Sequence, residues 1–163
     1  MIPLKDLNPA HRTPLVTYAI VIACVGVFLW QSGLGPQGMQ RTIIGLGLIP
    51  GVLTGTAILP SELRLVASPL TVLTSMFLHA SWLHLLGNLL YLWIFANNVE
   101  DRLGHLGFMV FYLASGAAAA AAQILPDPTS PIPMVGASGA ISGVLGAYLV
   151  FFPRARVVVF IPI

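Results

Sequence analysis

Residues 131–152 read PIPMVGASGAISGVLGAYLVFF, and the reading of this stretch decides the fold. A proline-broken loop, Pro131 to Val135, gives way at Gly136-Ala137-Ser138-Gly139 to an uncharged apolar helix running to Phe152. Ser is a favoured helix N-cap because its oxygen accepts a backbone N–H, so Ser138 by itself needs no function. The length of the helix argues for more. About fifteen residues rising 1.5 Å each make roughly 22 Å, short of the roughly 30 Å of a hydrocarbon core. Pro153, Arg154 and Arg156 mark the far end as the one in water. Ser138 is therefore expected below the opposite surface, at the mouth of a buried loop or a water-filled cavity.

The rest of the chain fits a membrane. Of 163 residues, 57% are hydrophobic and 7% charged, with mean hydropathy +0.92, whereas a soluble domain carries about a quarter charged residues. Seven Lys and Arg against five Asp and Glu are too scattered for a nucleic-acid stripe or a polybasic lipid anchor. The one cysteine, Cys24, lies in an apolar run, which leaves no disulfide framework and no thiolate metal site. No metal, cofactor or nucleic acid is expected.

A single domain of the all-α, polytopic class is expected over residues 1–163. A short polar leader, 1–13, precedes a first span from Pro14 to about Leu34, too long for a signal peptide and lacking a cleavage site. Residues 35–69 are rich in Gly and Pro and too broken to span, so they are expected in the interface. A second span is expected from about Pro69 to Asn98, a third from about Phe108 to Leu125, and a fourth from Ser138 to Phe152. Val157 to Ile163 reads as the start of a fifth span that the sequence does not complete. Alternating the loops puts Lys5, Arg12, Arg102, Arg154 and Arg156 on one side and Arg41 and Arg64 on the other. By the positive-inside rule the amino terminus is cytoplasmic, and Ser138, the 35–69 loop and the proline-rich loop face outward.

A second polar set lies in the second span. His84 and Asn88 are four apart, one turn on one helical face, both able to donate hydrogen bonds to one point. His79 lies five residues earlier, near the expected helix start. Interhelical hydrogen bonding would account for such residues at about 0.6–2 kcal/mol, but ionisable groups inside a bilayer are rare and usually functional. The functional reading makes His84 and Asn88 donors to a developing oxyanion, joined by the Ser138 backbone N–H at a helix start. His105, between Gly104 and Gly107, reads as a solvated loop residue. Glu100, Asp101 and Arg102 are either interfacial charges or, for Glu100, a pin on the end of the second helix. Gly139, Gly143 and Gly146 form a small-residue face against which another helix must press.

The set His79-Ala-Ser-Trp-Leu-His84-Leu-Leu-Gly-Asn88, followed by Glu100-Asp101-Arg102-Leu103-Gly104 and by Gly136-Ala137-Ser138-Gly139, resembles the rhomboid intramembrane serine proteases in order, spacing and topology. The resemblance implies a rhomboid-like helical bundle with four complete spans and the start of a fifth. It places the nucleophile on Ser138, the oxyanion donors on His84, Asn88 and the Ser138 N–H, and the site backbone on Gly136 and Gly139. It implies hydrolysis of peptide bonds in or near transmembrane helices of membrane-protein substrates, without metal or cofactor, in a multi-pass protein of a bacterial inner membrane. The family's general base is a histidine on a sixth helix packed on the glycine face of the fourth, which this sequence does not contain. The 163-residue chain is therefore expected to be inactive or nearly so, since a serine needs an adjacent base. A non-catalytic rhomboid-like binder of transmembrane helices is the alternative. A transporter fragment would show inverted repeats, which are absent, and an α/β-hydrolase elbow would need G-x-S-x-G after a strand, whereas residue 140 is Ala.

Overall fold

The computed structural model describes residues 2–161. Most of them are helical. Strand β1 (Ile2–Asp6) leads into α1 (Leu15–Gly33), α2 (Gly35–Leu46) and a single turn, α3 (Pro50–Leu53). A 3-10 turn at Ser68–Leu70, the short α4 (Thr71–Thr74) and a second 3-10 turn at Ser75–Phe77 follow. Then α5 (Trp82–Tyr91) passes through a π-helical turn at Leu92–Ala96 into α6 (Asn97–Ile124); α7 (Ser138–Phe151) and strand β2 (Val157–Phe160) complete the order.

Among the described residues, two helical runs are long and apolar enough to cross a membrane, Leu15–Gly33 and the 43-residue Trp82–Ile124. The first agrees with its expected bounds. Its buried stripe is Thr17, Ile20, Cys24, Phe28 and Gln31, a helical spacing that leaves Ile22 and Leu29 exposed for lipid. The second run at 1.5 Å per residue would be roughly twice a bilayer, and it does not continue straight. Gly104 takes φ +71°, outside helical geometry. His84 and Ala119 line one cavity at one end of the molecule, while Asn98 and Asp101 bond Asn8 and His11 at the other. The run is therefore two antiparallel limbs reversing at Gly104, as expected of a second and a third hydrophobic segment.

Three expectations are corrected. The second segment does not begin as a helix at Pro69: residues 68–81 are short turns and extended backbone, and the long helix starts at Trp82 with Ser81 as its cap, accepting from the His84 N–H at 3.2 Å. His79 thus precedes the helix. The apolar residues of this stretch promised a span, but its polar groups are met by protein. Thr71 and Thr74 donate to the Ser68 and Leu46 carbonyls, at 2.6 Å each, and the Ser75 carbonyl accepts from the Gly136 N–H at 2.8 Å; irregular backbone survives at membrane depth only when served in this way.

Nor is the fold purely helical. Val157–Phe160, read as the start of a fifth span, is a strand antiparallel to β1, pairing Ile2 with Phe160 and Asp6 with Val157 around an irregularity between Pro3 and Lys5. Three consecutive valines favour the pleated backbone, and the expected polar leader supplies the partner. Pro162 and Ile163, the end of that expected span, and Met1 of the leader lie outside the described residues. Residues 35–69, finally, are less broken than expected. Twelve of them form α2, with Pro36 in its first turn, where the missing N–H costs nothing.

The core lies where α1, α5, α6 and α7 meet, around Cys24, Phe28, Leu85, Val99, Tyr112 and Val144. The glycine face of α7 is divided between two directions. A Cβ at Gly139 would come within 2.7 Å of Ala119 Cβ, and one at Gly143 would collide with Ser115, so these two glycines admit α6. Ser138, Ser142 and Gly146, one turn apart on the other side, stay exposed.

Candidate functional site

Ser138 is the first residue of α7, and it is not the cap. Ala137 holds that position, its carbonyl accepts from the Ile141 N–H at 3.0 Å, and no side chain caps the helix. Capping therefore does not account for this serine, and its exposed hydroxyl is left facing a cavity of about 440 Å³. As an N-terminal residue of the helix, Ser138 has a backbone N–H without an intrahelical acceptor.

Gly136 sets the geometry. Its φ of +118° is one that L side chains rarely adopt, and a Cβ there would lie 2.6 Å from both Cε1 and Nε2 of His84 and 3.6 Å from Asn88 Nδ2. The absence of a side chain lets the α5 donors close on the backbone two residues before Ser138. His84 lines the same cavity as Ser138, Gly136 and Gly139. Asn88 is 7% exposed and its Nδ2 has no partner, a buried donor whose satisfaction would normally be required. Ser138, His84, Asn88, Gly136 and Gly139, singled out from the sequence, are brought together.

His79 supports this group from outside it. Fully buried, it stacks edge-on against His84 with ring centroids 5.2 Å apart. The Phe77 carbonyl, 3.2 Å from Nδ1, can only accept, which puts a proton on that nitrogen and leaves Nε2 unpartnered. Its ring is thereby fixed in orientation, and it forms a wall behind His84.

Gln31 joins this group without a signal in the sequence. Fully buried near the end of α1, it accepts the His79 N–H at 3.2 Å through Oε1, and its Nε2 lies 3.4 Å from Thr42 Oγ1 on α2. It ties α2 to the segment carrying His79. Gln31→Met should cost about 1–3 kcal/mol by stranding a buried N–H, read as a lower midpoint in thermal unfolding; an unchanged midpoint would mean that the His79 N–H finds another acceptor.

His105 and Glu100 belong to the opposite end, and neither behaves as a loose surface group. Glu100 is 1% exposed and accepts from the Val16 and Thr17 N–H groups and the Thr17 hydroxyl, at 2.8, 2.8 and 2.6 Å. His105 Nδ1 donates to it at 2.6 Å, so the expectation of a merely solvated histidine is corrected. Glu100 pins the start of α1 rather than the end of the second helix. Asp101 accepts from the His11 N–H at 2.9 Å and lies 3.9 Å from Arg12 Nε. Among the described residues there is no group of three or more His, Cys, Asp or Glu able to hold a metal ion.

The molecule is thus a helical membrane protein with a serine at a helix start, opening into a cavity lined by a histidine of a long apolar helical run. Its sequence matches the Rhomboid domain family model over residues 67–163, and the chain belongs to the rhomboid family. It is 32% identical over 100 residues to "Rhomboid protein 1, mitochondrial" of Saccharomyces cerevisiae, covering 59% of this chain and 29% of that protein. It is 42% identical over 78 residues to "Rhomboid protease GluP" of Bacillus subtilis, covering 48% of this chain and 15% of that one. With "Presenilin-associated rhomboid-like protein, mitochondrial" of Bos taurus it shares 33% over 162 residues, 97% of this chain and 38% of that protein. The chain matches well under half the length of each of these relatives. Membership of this family makes it a multi-pass integral membrane protein.

Proposed function

We propose that these residues form the nucleophile and oxyanion half of an intramembrane serine endopeptidase acting on transmembrane helices of membrane proteins. The observation that carries the proposal is the crowding of two α5 donors, the His84 ring and the unpartnered Asn88 Nδ2, against the backbone beside Ser138. Ser138 Oγ attacks the peptide carbonyl carbon while its proton passes to a base. The carbonyl oxygen takes the charge and is received by His84, Asn88 and the Ser138 N–H, donors fixed beforehand at a helix start. Collapse breaks the C–N bond, the departing amine takes the proton, and water then hydrolyses the acyl ester. Substrates with helix-weakening residues are favoured, because a helix shields its own carbonyls.

Of the four histidines only His84 shares the Ser138 cavity, and it is committed to the oxyanion. His11, His79 and His105 do not line this cavity, so the base is assigned to a group carried by a further helix seated against the exposed Ser138, Ser142 and Gly146 face. That helix cannot press on Gly139 and Gly143, as a single glycine face would have it, since α6 already fills both. Residues 1–163 alone are then expected to cleave slowly or not at all, and robust cleavage by them would overturn the base assignment. Four spans with the amino terminus in the cytoplasm remain part of this proposal. A bacterial inner membrane is not, because relatives named as mitochondrial stand beside the bacterial one.

The test is labelling of the native protein in its source membrane by a fluorophosphonate probe. Labelling that disappears in Ser138→Ala is expected. Labelling that survives the substitution would place the nucleophile elsewhere. Failure of the native protein to label, while it still retains a transmembrane peptide, would favour a non-catalytic helix binder, a reading supported by the lack of a second histidine lining the cavity among the described residues.

A further inference from the structure

The end of the molecule opposite Ser138 carries charge that its own carboxylates do not neutralise. Two adjoining hollows, of about 440 and 720 Å³, share Asn8 and Phe152 in their walls and so form one groove. Arg12 and Arg102 line the first, Arg154 and Arg156 the second, and the one carboxylate in either wall is Asp101. Asp101 is engaged by Arg12 and the His11 N–H. Asp6 is engaged too, accepting from Asn98 Nδ2 at 2.6 Å and the Tyr148 hydroxyl at 3.0 Å. Glu100 is buried under α1. Among the described residues, Arg102, Arg154 and Arg156 have no carboxylate within ion-pairing distance.

The groove also has an apolar side. Leu7, 54% exposed, and Phe151, 38% exposed, line the hollow that holds Arg154 and Arg156. It lies where α1 begins, α7 ends and the long helical run reverses at Gly104, the level at which membrane helices meet the headgroups. A soluble phosphate would use the guanidinium groups and leave the exposed apolar side chains idle. An amphiphile uses both, and arginine suits the phosphate of its headgroup by presenting paired planar donors.

We propose that this groove binds the phosphate headgroup of an anionic phospholipid, with Arg12 and Arg102 on one wall, Arg154 and Arg156 on the other, and Leu7 and Phe151 against the lipid's glycerol and upper chains. The site is independent of the chemistry at Ser138. Its occupant links β1, the α6 reversal and the segment after α7 across one surface.

The experiment uses the full protein in nanodiscs of phosphatidylcholine with a minor fraction of phosphatidylglycerol, extracted gently and weighed by native mass spectrometry. Retained phosphatidylglycerol should exceed its bulk fraction, and Arg154→Gln with Arg156→Gln should lower that retention about tenfold, since each surface cation contributes appreciably to anionic-lipid attraction. Arg41→Gln on α2 with Arg64→Gln in the loop after α3, at the other end, should leave it unchanged. Equal losses in both double variants would reduce the effect to general surface charge and overturn the site. So would retention that survives Arg154→Gln with Arg156→Gln. Displacement of the lipid by inorganic phosphate, with phosphate bound in its place, would show a soluble-anion site and also overturn the proposal. Unfolding midpoints of both variants distinguish loss of the site from loss of the fold.

Discussion

Replacing Gly136 by alanine should sharply slow the proposed reaction at Ser138 and destabilise the protein, and three glycines of this chain separate the causes. At Gly136 a side chain meets two penalties: a φ of +118° and a Cβ 2.6 Å from the His84 ring. Gly55 carries the first alone, with φ +78° and nothing within 4 Å of a built Cβ, and Gly146 carries neither. Gly55→Ala should thus cost only the backbone term, about 1–2 kcal/mol, with labelling of Ser138 unchanged. Gly136→Ala should cost more, because His84 must leave the space that the methyl takes. Losing one donor from an oxyanion site typically lowers rate by about 10²–10³, and under the proposed assignment a His84 ring pushed aside is one of the two side-chain donors lost. The checks are the fluorophosphonate labelling rate for chemistry, thermal unfolding for stability, and the His84 ring resonances for position. Labelling at the native rate in Gly136→Ala would mean that His84 takes no part in stabilising the oxyanion.

The grouping of this candidate site was largely legible in the sequence, for a physical reason. His84, Asn88 and Ser138 are polar residues in stretches otherwise apolar, and in a membrane such residues are too costly to be incidental. The hydrophobic limits of α1 and α7 were equally plain, because a run of uncharged apolar residues bounded by Gly, Pro or Arg marks where the hydrocarbon begins and ends. What stayed hidden depended on partners far along the chain. Residues 68–81 look like the start of a span because hydropathy reports burial and not backbone geometry; only the Leu46 carbonyl and the Gly136 N–H, which serve Thr74 and Ser75, make the irregular path tolerable. Val157–Phe160 looked like a helix start until β1, at the other terminus, supplied its partner. Gln31 gave no signal, as a glutamine near a helix end is ordinarily solvated. The split of the α7 glycines was illegible for a related reason: periodicity identifies a small-residue face, but not which of its two edges a neighbour occupies.

Glu100 shows the same dependence on distant partners, and its removal should produce the largest loss of stability away from the site. The first helix begins after Pro14 with no side chain of its own to cap it, and the initial N–H groups of a helix must find acceptors. Glu100 reaches them from more than eighty residues away, one oxygen taking Val16 N–H and His105 Nδ1, the other taking Thr17 N–H and the Thr17 hydroxyl. A carboxylate there also meets the positive end of the helix dipole. Glu100→Ala strands two backbone N–H groups and a hydroxyl, so the loss should be about 3 kcal/mol or more, a fall in midpoint on the order of 10 °C for a chain of this size. Glu100→Gln should recover only part, because its amide places an N–H₂ donor where another donor already points. His105→Ala removes one of four donors, from a side chain 45% exposed, and should cost about 1 kcal/mol or less. If His105→Ala proved as damaging as Glu100→Ala, the histidine rather than the first turn of α1 would be what the carboxylate serves. The expected ordering instead makes Glu100 the joint that holds the first helix to the reversal at Gly104, and through the Gln31 end of that helix to His79.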